Sequence, residues 1–110
     1  MKLPNRDKVY IPPGKLEHYL LSEIHPVGRL KARFFRGIGF EETNINSLEQ
    51  GLLAIAHEQA IKSIVASPYG MKYIIEGTLE TPTGRNVEIV TVWVIEIGQK
   101  APRFVTAYPT

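Results

Sequence analysis

Four side chains in this sequence are of types that could act together on an anion: His25, Lys31, Thr106 and Tyr108. His25 precedes Pro26, and proline favours the first turn of a helix. The imidazole is therefore expected at a helix start, where free backbone N–H groups attract negative charge. Lys31 follows less than two turns later, on the apolar side of the helix with Val27, Leu30, Phe34, Phe35 and Ile38, while Arg29, Arg33 and Arg36 gather opposite. Its stem can cover the core while its charge escapes to water. Alternatively, that side ends in a groove where an ammonium neutralises a phosphate or a carboxylate. Near the other end of the chain, alternation along RFVTAYPT puts Phe104, Thr106 and Tyr108 on one face, in one layer with Thr91, Trp93 and Ile95. Residue by residue these rows also fit a core. What favours a site is an imidazole, an ammonium and two hydroxyls able to share one groove. Arg33, Phe35 and Trp93 are expected to contact whatever binds there, the two aromatics as anchors.

Other chemistries find little support. No two of His18, His25 and His57 have metal-ligand spacing, and there is no cysteine to supply a thiolate. No glycine-rich phosphate loop or nucleophile elbow is present. Neither a metal nor a cofactor is expected, and His57 reads as inert on the polar margin of its helix.

The elements that must position these groups change period halfway along the chain. VYIPP (9–13) reads as extended, followed by a helix over 13–21 with Leu16, Tyr19 and Leu20 on one face. A second helix runs from Pro26 to Arg36, closed by Gly37 and Gly39. A third spans 47–60, opened by a capping box of Ser47 and Gln50, with Leu48, Leu52, Ile55 and Ala56 as its stripe. After Ile61 the period becomes two. IKSIVAS, MKYIIEGTLET, NVEIVTVWVIEIG and RFVTAYP read as strands, divided by PYG (68–70), TPTG (81–84) and GQKAP (98–102). Short connections make hairpins. The fold expected is α+β, with N-terminal helices packed on one face of a four-stranded antiparallel meander.

With 110 residues and no linker-like tract, the chain is expected to be a single domain, residues 1–110. The N-terminus lacks the apolar core of a secretory signal, and no apolar run approaches the ~20 residues of a membrane span. Together with the absence of cysteine, this makes a cytoplasmic location the expectation. A formal net charge of +2 is low for a dedicated nucleic-acid binder, although Arg29, Lys31, Arg33 and Arg36 form a local basic run.

KLEHYLL, HPVGRLKARFFRGIGF, GTLETPTGRNVEIVTVWVIEIG and PRFVTAYP resemble a family of small bacterial proteins of unknown function. The H-P-x-G-x-x-K-A-x-F-F and T-A-Y-P pieces carry most of that resemblance. More distantly, the order of helices, sheet and polar residues is similar to the barnase, EndoU, colicin D and RelE group of metal-independent ribonucleases. That likeness implies a toxin-type site with His25 as acid/base, Lys31 as the cation on the phosphorane, Thr106 as a donor to a non-bridging oxygen and Tyr108 at the leaving group or stacked on a base. It lacks the second histidine of an acid/base pair. Expected partners are RNA, or, in the alternative of a non-catalytic antitoxin-like module, a protein encoded nearby. A homo-oligomer through an exposed sheet edge is a third possibility.

Overall fold

The change of period divides the chain as expected. A computed structural model describes residues 1–110 and shows helices followed by a four-stranded antiparallel sheet, an α+β arrangement. Strands β1 (Ser63–Ser67), β2 (Gly70–Glu80), β3 (Asn86–Glu96) and β4 (Arg103–Pro109) pair in chain order, so the sheet is a meander. Helices α1 (Arg29–Gly37) and α2 (Ile45–Glu58) share one hydrophobic core with one face of that sheet. From the helices come Phe35, Leu48, Leu52 and Ile55, and from the sheet Ile75, Leu79, Ile89, Trp93 and Phe104. No helix is long and apolar enough to cross a membrane.

Three local expectations are corrected. The helix expected over 13–21 is a single π-helical turn, Leu16–Leu20, which buries Leu16 and Leu20. The second helix begins at Arg29 rather than Pro26. The capping box lies at Glu41 and Asn44, where the Glu41 backbone N–H donates to Asn44 Oδ1 at 2.8 Å, and Ser47 is already inside α2.

Two glycines let α2 ride directly on β2. A Cβ on Gly51 would sit 2.5 Å from Leu79 Cδ1, and one on Gly77 would sit 2.8 Å from the Ile55 side chain. Each glycine therefore receives a bulky side chain from the other element, an interlock that a methyl group would fill.

The last strand breaks the two-residue alternation. Phe104 pairs with Trp93 and Thr106 with Val92, which leaves Val105 as an extra residue in a β-bulge. Phe104 and Ala107, three apart, are consequently the two residues buried in the core. Thr106 and Tyr108 do not share the Phe104 face, as plain alternation requires. They pair opposite Val92 and Val90, on the sheet face turned away from the helices.

Candidate functional site

The turn ahead of α1 is built by His25 itself. Its Nδ1 accepts the backbone N–H groups of Val27 and Gly28, each at 3.0 Å, while its own backbone N–H donates to Ser22 Oγ at 3.1 Å. The side chain does the work of a helix cap, satisfying donors that have no partner within the helix. With two N–H groups pointing at Nδ1, the neutral ring carries its proton on Nε2. The cap occupies Nδ1 and leaves Nε2 as the ring nitrogen available to a ligand.

Gly28 brings that turn onto the π-helical turn. Its backbone has ordinary dihedrals (φ −80°, ψ −18°), yet a Cβ would lie 2.1 Å from the Tyr19 carbonyl oxygen. Space, and not conformational freedom, demands glycine here. This close contact also sets the rotation of α1. Gly28, Ala32 and Phe35 are buried, Lys31, Phe34 and Ile38 are half-buried, and Val27 and Leu30 face solvent. The buried stripe follows the small residues that allow backbones to approach, so Lys31 lies at its margin and not within it.

At that margin the polar groups meet on Tyr19. The His25 ring packs edge-on to the Tyr19 ring with centroids 5.0 Å apart. Lys15 Nζ lies 4.1 Å from the Tyr19 ring centroid and Lys31 Nζ lies 6.0 Å away, both within reach of a cation–π attraction. The Tyr19 hydroxyl is 2.9 Å from Thr106 Oγ1 on β4. Burial holds Lys15 below the ordinary lysine value; Tyr19 pulls it back up and neighbouring Arg103 adds to the lowering. The four ion pairs of the chain bring no carboxylate to Lys15 or Lys31. A patch with two ammonium groups, an N–H donor and two hydroxyls, and no acid paired to either lysine, suits an anion.

Of the expected residues, His25, Lys31 and Thr106 are brought together through Tyr19, and Tyr108 lies two residues beyond Thr106 on the same strand face. Phe35 and Trp93 are corrected outright. Both are fully buried. Trp93 Nε1 donates to Thr91 Oγ1 at 2.8 Å, and that hydroxyl donates to the Ile75 carbonyl at 2.7 Å. These groups satisfy one another inside the core, out of a ligand's reach. Arg33 is also apart, in a shallow depression with Glu23, Arg29, Leu30 and Arg36. No three His, Asp or Glu side chains converge where a metal could sit.

Tyr19 and Lys15 were not foreseen as site residues. The available signal was their spacing: four residues apart in KLEHYLL, they share a side of any helical turn. Tyr19 reads as core because Leu16 and Leu20 flank it, and its ring does pack on the core while its hydroxyl reaches Thr106.

A family described as a domain of unknown function, DUF6883, matches residues 2–110. No curated protein matches the chain. Among solved structures, one described as a contact-dependent growth inhibition toxin–immunity protein complex from Klebsiella pneumoniae 342 superposes with a TM-score of 0.71. The likeness covers 96% of this chain and 96% of that chain at 17% identity, and at that identity it is a likeness of fold.

Proposed function

The chain belongs to the DUF6883 family, a domain of unknown function, and from that premise we propose that it is a metal-independent, toxin-type ribonuclease domain with its site centred on Tyr19. The observation that carries this reading is the convergence of Lys15, Lys31, His25 and Thr106 on one tyrosine, with no carboxylate paired to either lysine. Fold likeness to a toxin–immunity complex supports the setting.

The chemistry is attack of a ribose 2′-hydroxyl on the adjacent phosphate. Lys15, whose charged form burial disfavours, takes the 2′-hydroxyl proton as the O2′–P bond forms. Lys31 holds its charge against the phosphorane. As the P–O5′ bond breaks, Lys31 gives a proton to the departing oxygen, leaving a 2′,3′-cyclic phosphate and a 5′-hydroxyl. His25 Nε2–H and the Tyr19 hydroxyl donate to the non-bridging oxygens, and Thr106 holds the Tyr19 hydroxyl in place.

Incubation of a mixed RNA pool with purified protein in EDTA tests this. Cleavage with cyclic-phosphate ends is expected, falling about a hundredfold or more in Lys15→Ala and Lys31→Ala and unchanged in Arg33→Ala. Intact RNA over a wide enzyme range, or equal cleavage by all variants, overturns it.

One observation favours the alternative of a non-catalytic, protein-binding module. Ile24, Val27 and Leu30 flank His25 and are 91%, 62% and 69% exposed, an apolar stripe of the kind that docks partners.

A further inference from the structure

The two edges of the sheet are finished differently. At the β4 edge the N-terminal segment lies alongside: the Tyr10 backbone N–H donates to the Pro102 carbonyl at 3.1 Å, and the Phe104 N–H donates to the Tyr10 carbonyl at 3.0 Å. At the other edge, β1 pairs with β2 alone. In an antiparallel ladder alternate residues turn their N–H and C=O away from the partner strand. Along Ser63–Ala66 none of those outward groups is bonded elsewhere in the chain. Proteins ordinarily guard such an edge with a charge, a proline or a bulge. SIVAS holds no charge and no proline, its register with β2 is unbroken, and Lys62 just ahead of it is paired with Glu76 on β2.

The side chains of β1 are as open as its backbone. Ile64 and Val65, which alternate onto opposite faces, are 41% and 49% exposed. The row Ile64–Tyr73–Trp93–Phe104 places Ile64 on the face that carries the core. Helix α2 packs on that face at Gly77 and Leu79. Toward β1 the same face is uncovered: Ala66 is exposed, and Met71 paired beside it is 41% exposed.

We propose that β1 pairs with β1 of a second copy of this chain, antiparallel about a two-fold axis at Val65, so that two sheets join edge to edge. The strand is its own complement. Reversed about Val65, Ser63 faces Ser67 of the second copy, Ile64 faces Ala66 and Val65 faces Val65. A large apolar side chain thus meets a small one on the core-bearing face, with Met71 flanking, and hydroxyl meets hydroxyl at the ends. A two-fold contact requires this kind of self-complementarity. Charge does not oppose it. Lys62 falls opposite Pro68 of the second copy. The two Lys72 side chains, each on β2 beside a Val65, stand three strand spacings apart, about 14 Å, which exceeds the screening length at physiological salt. The proposal is independent of the ribonuclease reading: Thr106 lies on β4, at the opposite edge of the sheet, so the dimer leaves the Tyr19 cluster open.

Five residues a side make a small interface, so the dimer is expected to dissociate on dilution. Sedimentation equilibrium over a wide concentration range is expected to show the mass rising from one chain to two. Val65→Lys sets two ammonium groups against each other only in the dimer, and is expected to abolish that rise. Leu30→Lys, at an apolar residue exposed elsewhere, is expected to leave it unchanged. Register is read by crosslinking. The chain has no cysteine, so Val65→Cys supplies a single thiol that meets its own copy within disulfide reach across the antiparallel pair. Mild oxidation is expected to convert Val65→Cys to a covalent dimer while Leu30→Cys stays largely a single chain. A monomer at every concentration, a rise in mass unaffected by Val65→Lys, or equal crosslinking of the two cysteine variants overturns the proposal.

Discussion

His25 Nδ1 caps the turn into α1 through Val27 and Gly28, and the ribonuclease proposal gives Nε2 a second job, as a donor to the phosphate. The jobs can be separated by substitution. Asparagine is among the preferred caps, and its side-chain oxygen can accept the same N–H groups. His25→Asn is expected to keep stability within a few tenths of a kcal/mol, whereas His25→Ala loses about 1 kcal/mol in urea unfolding. Both are expected to lose RNA cleavage to a similar extent, since neither retains the Nε2 donor. If His25→Asn cleaves normally, the histidine is only a cap. The position of His25 at a helix start was legible from the proline beside it. Its tautomer was not, because that depends on which backbone N–H groups the ring meets.

Helix α1 is anchored at each end by a different physical device. At its start, Gly28 lets the backbone touch Tyr19. At its end, the Arg36 guanidinium donates to both Glu42 oxygens, at 3.0 and 2.7 Å, and its Nε donates to the Leu21 carbonyl at 2.9 Å. The hydrogen bond from Arg36 holds the Glu42 carboxyl below its ordinary value and raises Arg36 in turn. Folded Glu42 therefore binds a proton less readily than in the unfolded chain. Its contribution is present above the ordinary carboxylate range and is lost as pH falls through the lowered folded value. The group is solvent-screened, so the effect is small. Urea midpoints of the wild type and Glu42→Gln are expected to differ at neutral pH and to merge at the acid end; a gap that widens on acidification contradicts the pairing. Elements of this kind are only partly legible. The shift from period 3.6 to period two, with turn residues between strands, predicts the meander correctly. Val105 escapes notice because a bulge inserts one ordinary residue, and that one residue exchanges the faces of Thr106 and Ala107. The rotation of α1 escapes for a related reason: a wheel weighted by hydrophobicity centres on Leu30, whereas packing centres on Gly28 and Ala32.

For the molecule as a whole, a net charge of +2 means that attraction to RNA comes from local placement and not from a pervasive field. With Lys15 acting as the neutral base, the proposed site offers one unpaired ammonium group to a phosphate, that of Lys31. Binding of an uncleavable 2′-O-methyl RNA oligonucleotide is therefore expected to weaken with salt at a log–log slope of about −0.7, one single-strand contact's worth. Anisotropy titrations across a potassium chloride series read it directly. A slope steeper than about −4 would assign binding to the wider basic surface, Arg29 and Arg33 included. At this scale the α+β architecture was legible because it depends on pattern over many residues, while the cluster was half legible because it depends on single contacts across distant parts of the chain. The longest of these has a consequence in time. Tyr19 meets Thr106 across 87 residues of sequence, so a ribosome that has already released Tyr19 and Lys31 must work for several more seconds, at about 5–20 residues per second, before β4 can dock. During that interval the nascent chain holds most of the cluster's polar groups without the strand that completes it, and the cluster assembles only once the last strand has closed on the π-helical turn.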